Sequence, residues 1–194
     1  INGSLARDRD GRPQMIGVIR EITRQRERET ALINSEKRFA TLFHLSPNVV
    51  LLTRRTDALK DHAGQISFPG GGVDAGDANV WDTALREAEE EIGLHTSLPE
   101  IVGELPPLLT GTGFIITPVV ALLRPPFALT PDPGEVAETF EYPLAHVTDP
   151  AKPERRSREF RGETREFWVW PHERHYIWGA TAGMLRNLYR FLSA

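Results

Sequence analysis

The sequence has no cysteine among its 194 residues. Disulfide bonds and thiolate metal sites are therefore excluded, and this fits a reducing compartment, so we expect a cytoplasmic protein. No apolar run approaches the roughly 20 residues of a membrane-spanning helix, and no secretory leader is recognisable. The net charge of −4 argues against a surface that coats nucleic acid. We therefore expect neither nucleic-acid nor membrane partners.

Motifs for covalent catalysis are also missing. The chain has no G-x-S-x-G elbow, no phosphate-binding P-loop and no catalytic cysteine, so a covalent nucleophile has no support. A hydrophobic content of 40% is enough for one full domain with an appendage. The chemistry must therefore come from other residue types.

Carboxylates are abundant at one place, in residues 70–94, which read GGGVDAGDANVWDTALREAEEEIGL. If this stretch is helical, Glu87, Glu90 and Glu91 fall at i, i+3 and i+4 and share one face, while Glu89 points away. An apolar stripe lies beside them, formed by Trp81, Ala84, Leu85, Ala88 and Ile92. An acidic edge of this kind suits Mg²⁺ or Mn²⁺, which prefer oxygen ligands and are often completed by substrate phosphates. The alternative is a solvated acidic helix face.

Glycines flank this acidic helix on both sides. Residues 70–72 are three glycines that can bring backbone close to a phosphate, and Gly93 can cap the helix at a left-handed position. Asp77 or Asn79 is the expected N-cap. These residues favour a functional helix over a solvated one.

The stretch resembles the signature of the Nudix hydrolases, G-x5-E-x7-R-E-U-x-E-E-x-G-U, where U is a bulky aliphatic residue. Ala88 is a small residue at the first U, and Ala78 stands where the signature has a loop glutamate. That glutamate is expected to pair with the signature arginine, so Arg86 needs Asp74 or Asp77 instead. The matching residues are Gly72, Arg86, Glu87, Glu90, Glu91, Gly93 and Leu94.

Residues 51–71, LLTRRTDALKDHAGQISFPGG, are similar to the extra motif of the coenzyme A pyrophosphatase branch, L-L-T-x-R-[SA]-x3-R-x3-G-x3-F-P-G-G. Thr56 and Lys60 depart from it, and a lysine cannot offer the bidentate fork of an arginine. The branch often carries Asp-x-x-Asp after the glycines, which Asp74 and Asp77 match. The resemblance implies a substrate-binding set of Arg55, Lys60, Gly64, Phe68, Pro69, Gly70 and Gly71.

The two resemblances together imply a fold and an activity. The fold is the Nudix α/β/α sandwich with a mixed sheet, over residues 46–194. The activity is metal-dependent hydrolysis of the diphosphate of coenzyme A or its derivatives. Glu87, Glu90 and Glu91 would hold Mg²⁺ or Mn²⁺, Arg86 would join loop and helix, and either Glu87 or Glu135 would take the proton. The implied partner is a small nucleotide of the coenzyme A class.

The first 45 residues have a different character. Residues 11–23 resemble the last strand of a PAS sensory domain, and residues 24–48 resemble a linker helix and the opening helix of a second one. We therefore expect a PAS-like fragment over 1–45 that places a strand and a charged helix before the Nudix domain. Apolar residues of that helix are available to form a homodimer. Two functions remain as alternatives to coenzyme A hydrolysis. One is a hydrolase of another nucleoside diphosphate derivative, and the other is a nucleotide-binding module without turnover in a PAS-linked signalling protein.

Downstream patterns predict further elements of the same α/β domain. Residues 101–105 and 115–123 are expected to be strands, with a turn at 110–113 between them. Residues 155–165 carry five arginines and are expected to form a polar loop. A terminal amphipathic helix is expected to open at about 177 and to reach about 192. His172 and His175 have metal-like spacing, but nothing nearby in the sequence completes a site.

Overall fold

The computed structural model describes residues 6–7, 13–14, 49–160 and 162–193. The chain divides into two units, Ile1–His44 and Leu45–Ala194. In the first unit, strands β1 (Ala6–Arg7) and β2 (Pro13–Gln14) pair in antiparallel orientation. The charged helix and almost all of the PAS-like stretch lie outside the described residues, so these assignments and the 45/46 boundary stay predictions.

The larger unit is built around a three-stranded antiparallel sheet. Strand β3 (Val49–Arg55) lies between β4 (Ile66–Ser67) and β9 (Val136–Pro143). The aliphatic run of β3 suits a central strand because its side chains alternate between two covered faces. Leu52 is fully buried and lies opposite the buried Phe140. The strand follows this aliphatic run from Val49 and continues to Arg55.

Helix α1 (Val80–Ile92) carries the acidic cluster, as predicted. The side chain of Asn79 caps its first turn by accepting the backbone N–H groups of Trp81 and Asp82. Gly93 ends it with a left-handed φ of 66°. Its apolar face packs through Ile92 and Ala88 onto a core that includes Leu51, Leu94 and Val136. Trp81 is 42% exposed, so the apolar stripe is narrower than predicted.

Two antiparallel strand pairs follow α1, and the second lies between the two strands of the first in the chain. Strand β5 (Glu100–Glu104) pairs with β8 (Val119–Leu122), and β6 (Leu108–Leu109) pairs with β7 (Ile115–Ile116). The turn at 110–113 closes the second pair, where the amide of Gly113 donates to the carbonyl of Thr110. The single strand predicted over 115–123 is instead two strands. Pro118 lies between them and has no N–H for a ladder bond.

The C-terminal part contains a second three-stranded sheet and two helices. Their bounds are α2 (Leu144–Thr148), β10 (Glu154–Phe160), β11 (Glu163–Pro171), β12 (Tyr176–Trp178) and α3 (Gly179–Leu192). The prediction of a polar loop over 155–165 was wrong. These arginines lie in a β-hairpin because cross-strand contacts hold them, including an ion pair from Arg155 to Glu166 and a cation–π contact over Trp168.

Buried side chains anchor this C-terminal sheet to the rest of the unit. Trp170 and Ile177 face each other across β11 and β12 and are both fully buried. The hydroxyl of Thr181 on α3 donates to the carbonyl of Ile66 on β4 at 2.7 Å. The terminal helix thus packs beside the edge of the central sheet that leads into the glycine loop. In the described part of the chain, no helix is long and apolar enough to cross a membrane.

Candidate active site

The loop that follows β4 contacts helix α1 at three successive glycines. The amide of Gly70 donates to Glu91 Oε2 at 3.2 Å. The carbonyl of Gly72 accepts from Arg86 at 3.0 Å. Between them, Gly71 lies directly against the carboxyl group of Glu87. The two sequence motifs, one ending at the glycines and the other on the helix, therefore form one surface.

Gly71 is required by space rather than by backbone angle. A Cβ built on it would lie 2.5 Å from Glu87 Cδ and 2.6 Å from Oε1, well inside ordinary contact of 3.4–4 Å. Gly72 is different, because a Cβ there would meet nothing within 4 Å. The loop backbone thus lies directly against the Glu87 carboxylate, at a distance that only a residue without a side chain allows.

Arg86 ties the loop to the helix through Asp77. Its Nε and one terminal nitrogen bind the two oxygens of Asp77 at 3.1 and 3.0 Å, a bidentate pair. The side chain of Asp77 is 6% exposed, and the Arg86 guanidinium holds the pKa of this carboxyl well below its usual range. Asp77 also accepts from the hydroxyl of Thr83 and the amide of Asp74. Of the two candidate partners for Arg86, the structure therefore selects Asp77.

Glu91 is the buried member of the acidic cluster. Its side chain is 4% exposed, and burial raises its pKa to about 7 despite the amide of Gly70 and the Arg55 guanidinium. The charges of Glu135 and Glu87 raise it further. The nearest cation is Arg55, whose terminal nitrogen lies 3.6 Å away. The positive charge near Glu91 is therefore too weak to offset the burial of its carboxylate. A divalent cation beside the carboxylate would supply the missing positive charge.

Glu90 is placed differently from the other two predicted ligands. Its side chain is 61% exposed, and Arg86 binds one of its oxygens at 3.0 Å. Arg86 binds Glu87 Oε1 at the same distance. Within the described ranges, no three acidic or histidine side chains already converge as a metal-binding group. This includes His172 and His175, whose rings stack at 4.8 Å.

The residues present nevertheless suit a hard divalent cation in chemistry and in space. Glu87 and Glu91 offer carboxylate oxygens, and Gly71 leaves the Glu87 carboxylate free of a side chain above it. Such ions keep several waters and take further oxygens from substrate phosphates, so a partial protein ligand set is sufficient. Glu87 and Glu91 would hold the ion, with Glu90 joining if its exposed side chain turns from Arg86.

The residues around Arg55 bring a fourth carboxylate to the same place. The amide of Thr56 donates to the carbonyl of Glu135 at 2.9 Å, which fixes Glu135 beside Arg55. The amide of Asp132 donates to the carbonyl of Glu91 at 2.9 Å, so the loop before β9 is tied to the end of α1. Arg55 Nε is buried without a hydrogen-bond partner. An unpaired donor beside two acids is consistent with a site that binds an anionic group.

The remaining predicted substrate residues lie along the approach to this surface. Lys60 is exposed, and Gly64 has a left-handed φ of 68°, both on the loop between β3 and β4. Phe68 and Pro69 are half-buried and lead from β4 into the glycines. The structure thus brings together Arg55, Gly70, Gly71, Glu87, Glu91 and Glu135, and it places Lys60 and Gly64 one loop away.

Two features of the site were not found from the sequence. The first is that the amides of Thr130 and Asp132 hydrogen-bond the loop at 130–135 to the end of the helix. The second is that Gly71 must be a glycine because it lies against the carboxyl group of Glu87. The Pro131–Gly134 pattern predicts a turn, but nothing in the sequence says what the turn contacts.

The chain is similar in sequence to known proteins of one family. The family model described as the NUDIX domain matches residues 35–173. Proteins from Escherichia coli O1:K1 and Shigella boydii serotype 18, both named "Uncharacterized Nudix hydrolase NudL", are 41% identical over 139 residues, which cover 72% of each chain.

Solved structures give weaker matches. A MutT protein from Methanosarcina mazei Go1 is 23% identical, with a TM-score of 0.40 over 50% of this chain and 68% of that one. The Nudix hydrolase RenU from M. smegmatis is 23% identical, with a TM-score of 0.43 over 51% of this chain and 62% of that one.

Proposed function

The chain belongs to the Nudix hydrolase family, and we propose that it hydrolyses the diphosphate of coenzyme A or its derivatives to 3′,5′-ADP and 4′-phosphopantetheine or its acyl form. Enzymes of this family are pyrophosphohydrolases of small nucleotide molecules and generally use divalent metal ions. The choice of coenzyme A within that class is the part that we add.

The observation that carries this choice is the contact between the second motif and the acidic helix. Three residues of the motif that resembles coenzyme A pyrophosphatases touch the acidic cluster directly. Arg55 and the amide of Gly70 both approach Glu91, and Gly71 abuts Glu87. Its position supports a role in holding the substrate against the acids.

Different residues would bind the diphosphate and keep the acidic cluster in place. Arg55 supplies positive charge and an unpaired buried N–H for a phosphate oxygen. Asp77 holds Arg86, and Arg86 holds Glu87, so the loop and the carboxylate keep a fixed relation. A bound Mg²⁺ or Mn²⁺ ion supplies neutralisation of the diphosphate charge and a more acidic water. Glu87, Glu90 and Glu91 are the proposed residues that hold it.

The reaction is water attack on one phosphorus. A new P–O bond forms to the water oxygen, and the bridging P–O bond breaks, so the bridging oxygen leaves with the other phosphate. Either Glu87 or Glu135 takes the proton of the attacking water. Glu135 is exposed and its backbone is hydrogen-bonded beside Arg55, so its carboxylate is free to accept a proton from the solvent side.

Product analysis tests this proposal. The purified chain is incubated with coenzyme A and Mg²⁺ or Mn²⁺, and the products are separated by chromatography and identified by mass. Parallel reactions contain acyl-coenzyme A and a panel of other nucleoside diphosphate derivatives. We expect 3′,5′-ADP and 4′-phosphopantetheine in equal amounts. Glu91→Gln should remove the activity, while Glu89→Gln, on the exposed opposite side of α1, should retain it.

Each outcome has a defined meaning. Hydrolysis of coenzyme A above the other substrates supports the proposal. Cleavage of the other nucleoside diphosphates alone would leave the family chemistry in place and reject coenzyme A. Nucleotide binding without cleavage of any substrate would reject the proposal in favour of a binding module.

A further inference from the structure

His62 has an unusual backbone conformation. It is the one residue other than glycine in the described part of the chain with a positive φ, at 58°. A side chain with a Cβ is disfavoured there, because the Cβ approaches the following carbonyl oxygen. The side chain of His62 is exposed, so its own burial does not offset this cost. A costly conformation that displays an exposed side chain suggests a functional use.

Neighbouring contacts hold His62 in this conformation. Its carbonyl accepts the amide of Gln65 at 3.1 Å, and its Nδ1 lies 3.1 Å from Gln65 Oε1. Gly64 adopts a second positive φ, and a Cβ there would lie 2.8 Å from Asp57 Oδ1. Asp57 in turn holds Arg54 through both of its oxygens, at 2.7 and 2.8 Å. The loop is therefore fixed at both ends and displays the imidazole on a rigid base.

His62 is connected to the candidate active site through Gln65. The amide of Arg55 donates to the carbonyl of Gln65 at 2.9 Å. The guanidinium of Arg55 reaches to 3.6 Å from Glu91. The same residue that orients the imidazole is thus hydrogen-bonded to the backbone of the arginine at the acidic helix. His62 therefore lies on the loop that follows Arg55, and one residue, Gln65, connects its imidazole to the backbone of that arginine.

The acidic and basic side chains of the loop balance one another, so the imidazole of His62 decides which group the loop attracts. The Arg54–Asp57 pair neutralises both of its members. Lys60 remains close to His62 in sequence, opposed by Asp61. With Nδ1 held by the Gln65 oxygen, the imidazolium form donates that proton to Gln65 and presents a second donor at Nε2. A phosphate oxygen is the acceptor that binds such a charged donor most strongly.

We propose that His62 is a specificity-determining residue whose Nε2 donates a hydrogen bond to a substrate phosphate that is remote from the scissile diphosphate. This inference rests on the proposed function, because in coenzyme A the remote phosphate is the 3′-phosphate of the adenosine.

The test compares coenzyme A with 3′-dephospho-coenzyme A. His62→Asn keeps a residue that tolerates a left-handed φ but lacks Nε2, and His62→Gly removes the backbone cost as well. We expect both variants to raise KM for coenzyme A about tenfold, the worth of one hydrogen bond to a charged group. kcat should change little because the contact is remote from the bond that breaks. KM for the dephospho substrate should stay within about twofold. His95→Asn makes the same change on another exposed loop and should alter neither constant.

Other results would overturn the inference. An equal rise in KM for both substrates would show that Nε2 does not contact the 3′-phosphate. A fall in kcat together with a lower Tm would show a structural role instead.

Failure of the proposed function is distinguished by a binding measurement. If the parent protein does not cleave coenzyme A, calorimetric titration with 3′,5′-ADP and with 5′-AMP still tests His62. Tighter binding of 3′,5′-ADP that is lost in His62→Asn supports the residue's role. Equal binding of the two nucleotides by the parent protein would refute it.

Discussion

The close approach of Gly71 to Glu87 allows a minimal test of the site. Replacing Gly71 by alanine adds one methyl group, and the φ of Gly71 is not in the left-handed region, so the backbone accepts the change. The methyl group would lie 2.5 Å from Glu87 Cδ, where ordinary contact begins at 3.4 Å. The carboxyl group is the flexible end of a side chain, so it moves aside and the fold is retained.

The size of the effect follows from the overlap. Restoring contact distance requires a displacement of the Glu87 carboxylate by about 1 Å, and a misplacement of that size costs about 100-fold in rate. The free energy of unfolding should change by less than about 1 kcal/mol, because no core residue is disturbed. Activity and stability are therefore expected to separate.

The assay measures kcat at saturating Mg²⁺ beside the Tm of the same preparation. Gly72→Ala is the matched control, since its methyl group would meet nothing within 4 Å, and we expect near-parental kcat. Equal kcat for the two alanine variants would refute the reasoning that Glu87 must stay in place under the loop. A large loss of Tm in Gly71→Ala alone would show that the glycine is structural.

Three further predictions concern charge and packing. Because the pKa of Glu91 is about 7 when folded against an ordinary 4.5, metal-free protein should lose about 3 kcal/mol of stability as pH rises from 4.5 through 7. Urea unfolding across that range checks this, and Glu91→Gln should abolish the loss. Asp77→Asn removes the charge that holds Arg86, so kcat/KM should fall about tenfold, whereas Asp74→Asn should match the parent in the same kinetic assay. Ile92→Ala empties a fully buried position and should lower Tm by roughly 10 °C in a thermal melt; an unchanged Tm would contradict the core described above.

Local rules were sufficient for the acidic helix. The spacing of its apolar residues, the Asn79 cap and Gly93 all act within a few residues of the chain, so the sequence predicts α1 closely. Strand β3 also follows a local pattern, because its aliphatic run suits a strand with a neighbour on each side. The periodicity of the apolar residues does not indicate a reaction. The expectation of diphosphate hydrolysis came from the resemblance to known motifs.

Long-range contacts explain what the sequence did not predict. The hairpin of β10 and β11 looks polar, and it is stabilised by ion pairs and ring contacts between strands that the sequence does not reveal. Glu90 satisfies the helical spacing but pairs with Arg86, because an arginine one turn earlier competes for its carboxylate. The position of Glu135 depends on a backbone hydrogen bond from the amide of Thr56, which lies about 80 positions earlier in the chain.

Hydrolysis in ¹⁸O-labelled water tests the central claim most directly, that the acidic edge of α1 and the glycine loop form one metal-dependent diphosphate hydrolase site. Coenzyme A is incubated with the protein and Mn²⁺, and the masses of both products are measured by mass spectrometry. We predict one ¹⁸O atom in one of the two products, full dependence on the metal, and loss of the signal in Glu91→Gln. The account would be contradicted if neither product carried the label, if products still formed when a chelator removed the metal, or if Glu91→Gln kept full activity.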